Sequence, residues 1–437
     1  MKKYKYLAFI LALFFPFTAL ASVQVSTARM AANIVNSGTR FFSIHGVMNV
    51  TGTDNSGSIS TIMPIAGTFS NLRAVSDYPP GGATTGIVTL RKNAVNTALT
   101  CTITSAATTC SDTANSVSVV AGDRLIWAIN QSAGGTWISI SVVADFTPTT
   151  ANETFLTSYL TGISTSLQTY GSLAPATAAN SSIGFDTAGR MVLFPEAGVL
   201  DKLVASSTAP GAGKTWDFTL KQNAATTSVT CQVNGDTPNY CTDSTNALTI
   251  ATNDFVSIAS VPTGTPAAAS AGVGVRFVPT IAGNFGLYYT SFNSADSSTL
   301  NQYLPINGYM IPNAKEASTT QVVNNMTITE MSVKLTIAPG GVTARTFTIR
   351  QNFATTSAAC TITGTETACT WTGTLAVADG DVLNTVDAPS AGSPSTARMT
   401  VSLVANRRPA TTVPGVSAKY KFFGGFFRFK GGMFKFW

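Results

Sequence analysis

Three tandem antiparallel β-sandwich domains, all-β throughout, are what this sequence predicts, and three observations predict them. First, a short stretch recurs. Thr89-Leu90-Arg91-Lys92-Asn93, Thr219-Leu220-Lys221-Gln222-Asn223 and Thr348-Ile349-Arg350-Gln351-Asn352 each place a cysteine eight residues after the asparagine, at Cys101, Cys231 and Cys360. The cysteines lie 130 and 129 residues apart, and a period held over two long steps marks a duplication. Second, charged residues make up 11% of the chain and hydrophobic ones 44%. Ordinary soluble domains carry roughly 25% charge. A surface built instead from Thr, Ser, Asn, Ala and Gly is that of an extracellular β protein, and the apolar content is enough to offset chain entropy. Third, short alternating apolar runs are broken by frequent turn residues, and a repeat of about 130 residues suits one sandwich.

Taken in order, residues 1–21 read as a secretory signal peptide: Lys2, Lys3 and Lys5, an apolar Leu7–Phe17, then Ala19-Leu20-Ala21 as the cleavage site. No later stretch is long and apolar enough to span a bilayer as a helix. Residues 22–38 form a polar leader in which Thr27–Asn33 suggests one or two helical turns. The first repeat covers 39–148, the second 149–279 and the third 280–410, with Pro148, Pro279 and Pro409 marking equivalent ends. Phe155–Leu160 and Phe285–Thr290 are the opening strands of the second and third repeats. In each repeat a strand enters a tight turn at Asn93, Asn223 or Asn352, since Asn tolerates left-handed backbone and bonds its own turn. A second turn follows at Ala121-Gly122-Asp123, Thr252-Asn253-Asp254 and Asp379-Gly380-Asp381. Trp137–Val142 alternates as a half-buried closing strand. Tyr78–Gly82 and Ala209–Gly213 are loops.

The six cysteines fall one pair to a repeat: Cys101/Cys110, Cys231/Cys241 and Cys360/Cys369. Each copy must hold its own pair, which predicts three local disulfides across the two arms of a hairpin in an oxidising compartment. No pair has Cys-x-x-Cys spacing or a histidine partner, so the pattern is not that of a zinc site.

Thr89–Asn93 together with the downstream Ala121-Gly122-Asp123-Arg124-Leu125 resembles the repeats of the C1q/TNF-like group. There a leucine-arginine-x-asparagine-glycine turn is followed by alanine-glycine-aspartate. The likeness covers about 35 residues per copy, and Ala94, Ala224 and Phe353 stand where that pattern has glycine. It implies jelly-roll-like sandwiches that associate as trimers. Three copies on one chain would then form a built-in trimer about a pseudo-threefold axis.

Residues 411–437 are a linker and a tail with nine aromatic residues, five cations and no acid. Phe422, Phe423, Phe426, Phe427, Phe429, Phe434, Phe436 and Trp437 are its candidate contact residues, for assembly with another subunit or for a membrane surface. Signal peptide and tail hold eight of the 26 basic residues, leaving 18 against 20 acidic ones. The body is therefore near neutral and carries no nucleic-acid footprint.

Little else suggests chemistry. His45 is the one histidine and reads as a strand or strand-end residue. Glu153, Glu196, Glu316, Glu330 and Glu366 occupy no matched positions of the kind a glycosidase pair needs. No nucleotide fingerprint, and so no cofactor, is indicated. Asp123, Asp254, Asp379 and Asp381 read first as turn caps, with Ca²⁺ ligation as the other chemistry open to them. The expectation is a secreted, non-enzymatic structural protein that partners itself or a membrane surface. The alternative is an adhesin binding glycans, with Trp137, Trp216 or Trp371 as stacking candidates.

Overall fold

The computed structural model describes residues 23–30, 34–35, 38–48, 60–132, 136–137, 140–174, 182–183, 191–235, 240–291, 297–309, 313–407, 427–429 and 432–434. The expected signal peptide, most of the tail and Pro409 lie outside them.

Each repeat folds as two facing sheets. In unit 1 the first sheet runs Gln24–Met30, Ile140–Pro148, Gly67–Ser76, Thr109–Val119. The second runs Gly38–Phe42, Arg124–Gln131, Gly86–Lys92, Val95–Ile103, with the short Thr61–Ile62 on the same edge as Gly38–Phe42. Counted along the chain, the main strands lie in the orders 1-8-3-6 and 2-7-4-5. Unit 2 repeats this with Thr154–Ile163, Ala269–Pro279, Gly198–Ser207, Tyr240–Ile250 facing Thr169–Ser172, Phe255–Thr263, Gly211–Gln222, Ala225–Gly235. Unit 3 does so with Asn284–Thr290, Met399–Asn406, Met326–Leu335, Ala368–Val377 facing Gln302–Leu304, Val382–Pro389, Ala344–Gln351, Ala354–Thr363. Chain-distant strands become neighbours in both sheets, which is the double Greek key of a jelly roll.

Two expectations are corrected here. Within the segment 22–38, residues 24–30 are not a leader with helical turns. Gln24–Met30 is strand 1 of unit 1, paired along its length with Ile140–Pro148. The last strand is also not half-buried. All of Ile140–Phe146 is buried, as is all of Gln24–Met30, and Trp137 belongs to a separate short pairing with Ile34. The physical reason is that the sheet of strands 1 and 8 is covered on both faces, by its own core and by a neighbouring unit.

That covering is cyclic. Thr61–Ile62 of unit 1 lies on strands 1, 3 and 8 of unit 2. The equivalent Val192–Leu193 of unit 2 lies on strands 1 and 8 of unit 3, and Gln321–Val322 of unit 3 lies on strands 1, 3 and 8 of unit 1. Three head-to-tail contacts of one kind close a ring. Each unit also passes an apolar side chain into the core behind it. Phe155 of unit 2 is fully part of the unit 1 core, Tyr288 of unit 3 part of the unit 2 core, and Val25 with Val143 of unit 1 part of the unit 3 core. Burying a side chain of this size is worth about 1.5–3 kcal/mol, so each unit is stabilised by its neighbour. Gly286 stands where Phe155 and Val25 stand in the other units, and a Cβ there would lie 2.1 Å from the Tyr288 ring. The missing side chain lets Tyr288 fill the place.

Candidate functional site

The recurring asparagine forms a clamp. Asn93, Asn223 and Asn352 have φ of 51°, 50° and 52°, and Ala94, Ala224 and Phe353 follow at 66°, 69° and 64°. Two successive left-handed residues make the type I′ turn that suits a two-residue hairpin. The asparagine amide then donates to the aspartate of the other turn: Asn93 to Asp123, Asn223 to Asp254 and Asn352 to Asp381, each at 2.7 Å. Its side-chain oxygen accepts the backbone N–H of Arg124, Phe255 or Val382. Each aspartate also accepts from a backbone N–H three residues earlier. These carboxylates are thus ringed by donors, as turn caps are. Asp379 differs: it accepts from Asn325 N–H and from Arg73 of unit 1, across a seam. Among the described residues, no group of three His, Cys, Asp or Glu side chains is placed to hold a metal ion. Because an L-residue in left-handed backbone costs about 1–2 kcal/mol, Ala224→Gly is expected to raise stability by roughly 0.5–1 kcal/mol, read as a higher unfolding midpoint.

The cysteines pair as Cys101–Cys110, Cys231–Cys241 and Cys360–Cys369, with Cα atoms 5.7, 5.6 and 5.7 Å apart. They do not join two arms of a paired hairpin, however. Among the described residues strand 5 pairs only with strand 4 and strand 6 only with strand 3, so each bond staples the outer edge of one sheet to the outer edge of the other. Sequence spacing gave the partners but not the crossing between sheets. The bonds suit an oxidising, extracellular setting.

Beside two of these bonds sits a device the sequence reading missed. Asp112 accepts from the N–H groups of Thr100, Ala114 and Asn115, and Asp243 from those of Thr230, Thr245 and Asn246. Burial alone would raise these carboxyls. The hydrogen bonds outweigh it, lowering Asp112 and bringing Asp243 to about 2. The Asp-x-x-Asn spacing common to both was the available signal.

His45 lies in the bend before the short strand Gly46–Met48, in the seam between units 1 and 2. Its ring stacks on Phe155 at 4.8 Å, and Nδ1 is 3.3 Å from the Thr157 hydroxyl. Burial brings its pKa down to about 3, so it is neutral when folded. Both groups have a folded pKa below the unfolded one, about 6.5 for His and 3.9 for Asp. Their contributions are therefore full above those unfolded values and are lost as pH falls toward the folded ones. Melting temperature is expected to fall from about pH 6.5 downward. His45→Asn should flatten the upper part of that decline and Asp243→Asn the part below about pH 4.

The seams hold many buried polar groups. Between units 3 and 1, Arg29 donates to the carbonyls of Ser318 and Thr320 and to both oxygens of Asp77. Asp145 takes Asn71, Asn324 and Arg407. Between units 2 and 3, Thr400 and Ser402 donate to the carbonyls of Met191 and Leu193, while Glu196 accepts from Ile281 N–H and Asn284. The Glu196 carboxyl is raised, by burial first and by Glu330 in addition, against those two hydrogen bonds. Between units 1 and 2, Gln24 exchanges two hydrogen bonds with the backbone of Phe155. Glu153 there is paired with Arg276 and Lys202, Glu316 lies in unit 3 on Arg350, and Glu366 caps its own turn at Thr363. Of the five glutamates, Glu196 and Glu330 are the two whose charges meet.

Of the tryptophans considered for stacking, Trp216 is fully buried and Trp371 packs over Gly373 at the edge of the unit 3 core. Trp137 is placed by its backbone only. In the tail, Phe427–Phe429 and Gly432–Phe434 pair as a two-stranded hairpin with Phe427 opposite Phe434. Phe422, Phe423, Phe426, Phe436 and Trp437 lie outside the described residues.

The protein defined by these features is a disulfide-stapled all-β chain of three jelly-roll units closed into a ring. Compared with protein-family models and with curated proteins, the chain matches none.

Proposed function

We propose that this chain is an exported, non-enzymatic structural protein whose three linked units act as a ready-made trimeric block, joined to like blocks or to a membrane surface by the aromatic and basic tail. The observation that carries the reading is the ring: each core is completed by the next unit, so one chain already has the rigidity that separate subunits reach only by association. Disulfides at the outer edges and a body of low charge support service outside the cell. The resemblance to C1q/TNF-like repeats is part of the same proposal. Negative-stain microscopy and gel filtration of the exported chain, with and without residues 419–437, test it. Polymers or membrane-bound particles for the full chain, and single blocks for the shortened one, are expected. Identical single particles in both cases would count against it.

A further inference from the structure

A cleft of about 770 Å³ opens at the seam between units 1 and 2. Its volume lies within the roughly 300–1,000 Å³ of small-molecule sites. Unit 1 lines one wall with Pro64 and Ala66, between which Ile65 turns into the core, and unit 2 faces them with Val204. Polar groups converge on the space: Glu153, Lys202, Thr150, Thr242 and Ser244, with Tyr240 at its edge. Glu153 is buried, whereas Tyr240 is 46% exposed, and both line the cleft.

Lys202 is the unusual member. It has φ of 50°, at a slip in register within strand 3. The same position in unit 1 is Asn71, with φ of 53°. Asparagine takes left-handed backbone readily and lysine seldom does. Local strain of this kind is found where a side chain is held for a purpose. Here it sets the Lys202 ammonium 3.2 Å from Glu153 Oε1, on the cleft wall.

We infer that this cleft binds a pyranose unit of a neutral glycan. A sugar needs an apolar or aromatic surface for its C–H face and, for its hydroxyls, partners that both donate and accept. The apolar wall and Tyr240 supply the first. The Lys202 ammonium and the hydroxyls of Thr150, Thr242 and Ser244 supply the second. An anionic ligand fits poorly, because Lys202 is paired with Glu153 and Arg276 with Asp201 and Glu153. An apolar ligand would bury the ion pair and three hydroxyl side chains without partners, at a cost that opposes binding. The site needs both units, so it exists only where units 1 and 2 dock. It stands apart from the assembly role of the tail.

The test is an array of neutral glycans probed with the disulfide-bonded full chain, then calorimetry with the free form of the best oligosaccharide. Tyr240→Ala and Lys202→Gly are each expected to weaken binding at least tenfold. Lys202→Gly relieves the backbone and should melt no lower than the parent, which separates lost binding from lost fold. Tyr78→Ala removes an exposed ring outside the cleft and should bind as the parent does. Absence of any neutral glycan ligand, or affinity unchanged in both cleft variants, would overturn the site. The assembly reading is judged by microscopy and is untouched by either result.

Discussion

Replacing Gly274 by valine is expected to force apart the seam between units 1 and 2 and to give one of the largest losses of stability available from a single change. An ideal Cβ at Gly274 would lie 2.4 Å from the carbonyl oxygen of Ile62, with Pro64 Cδ and Val204 Cγ1 both at 3.1 Å. The nearest atom is backbone in a short strand paired with Arg124–Gln131, so it cannot swing away as a side chain would. Overpacking of this kind costs about 1–3 kcal/mol even where neighbours can shift. The other units show that the position itself tolerates a side chain. By register with strand 3, Gly274 corresponds to Val143 in unit 1 and Ser402 in unit 3. Val143 enters the unit 3 core, and Ser402 donates to the carbonyl of Leu193 at 2.6 Å. Each seam is fitted to its own residue. Ser402→Ala should therefore lose only about 1 kcal/mol, one hydrogen bond. Equilibrium unfolding of both variants checks the contrast, and a Gly274→Val protein as stable as the parent would contradict the seam.

Asp387→Ala is expected to destabilise unit 3 by about 3–5 kcal/mol, the usual result of stripping the partner from a buried charge. Arg345 and Asp387 are both fully buried, with the guanidinium donating to Asp387 at 2.7 Å and to the carbonyls of Ser297 and Ser395. In unit 2 the same two positions hold Trp216 and Ser260, since Phe347 pairs with Asp387 and Cys360 as Phe218 pairs with Ser260 and Cys231. Two units of one fold thus solve one packing problem in two ways, an ion pair and an indole. Buried pairs are often replaced by well-packed residues without loss. The double change Arg345→Trp with Asp387→Ser is accordingly expected to recover most of what Asp387→Ala loses. A double variant no more stable than Asp387→Ala would show that the two units do not share this interior.

These examples also show what the sequence could carry. Asn93, Asn223 and Asn352 were legible because their turn is local: spacing, residue type and left-handed backbone belong to one short stretch. Outer strands such as Val95–Ile103 alternate visibly because only one face is covered. Strands 1 and 8 defeat that reading, because their second face is covered by residues far away in the chain. Thr27 donates to the carbonyl of Val322, and Ser141 accepts from Val322 N–H. A buried serine at such a distance from its partner leaves no periodic trace, so Gln24–Met30 read as polar leader. The cleft was hidden for the same reason. Its walls come from Met63–Ala66 and from Leu203–Val204 and Tyr240, and only the docking of units 1 and 2 brings them together.

Small-angle X-ray scattering of the chain without residues 1–21 tests closure of the ring most directly. A compact body of this length should have a radius of gyration of about 21–22 Å, and the distance distribution should be single-peaked. A value near 30 Å with a long shoulder, as for three sandwiches in a row, would contradict the contact between units 3 and 1 on which the ring depends.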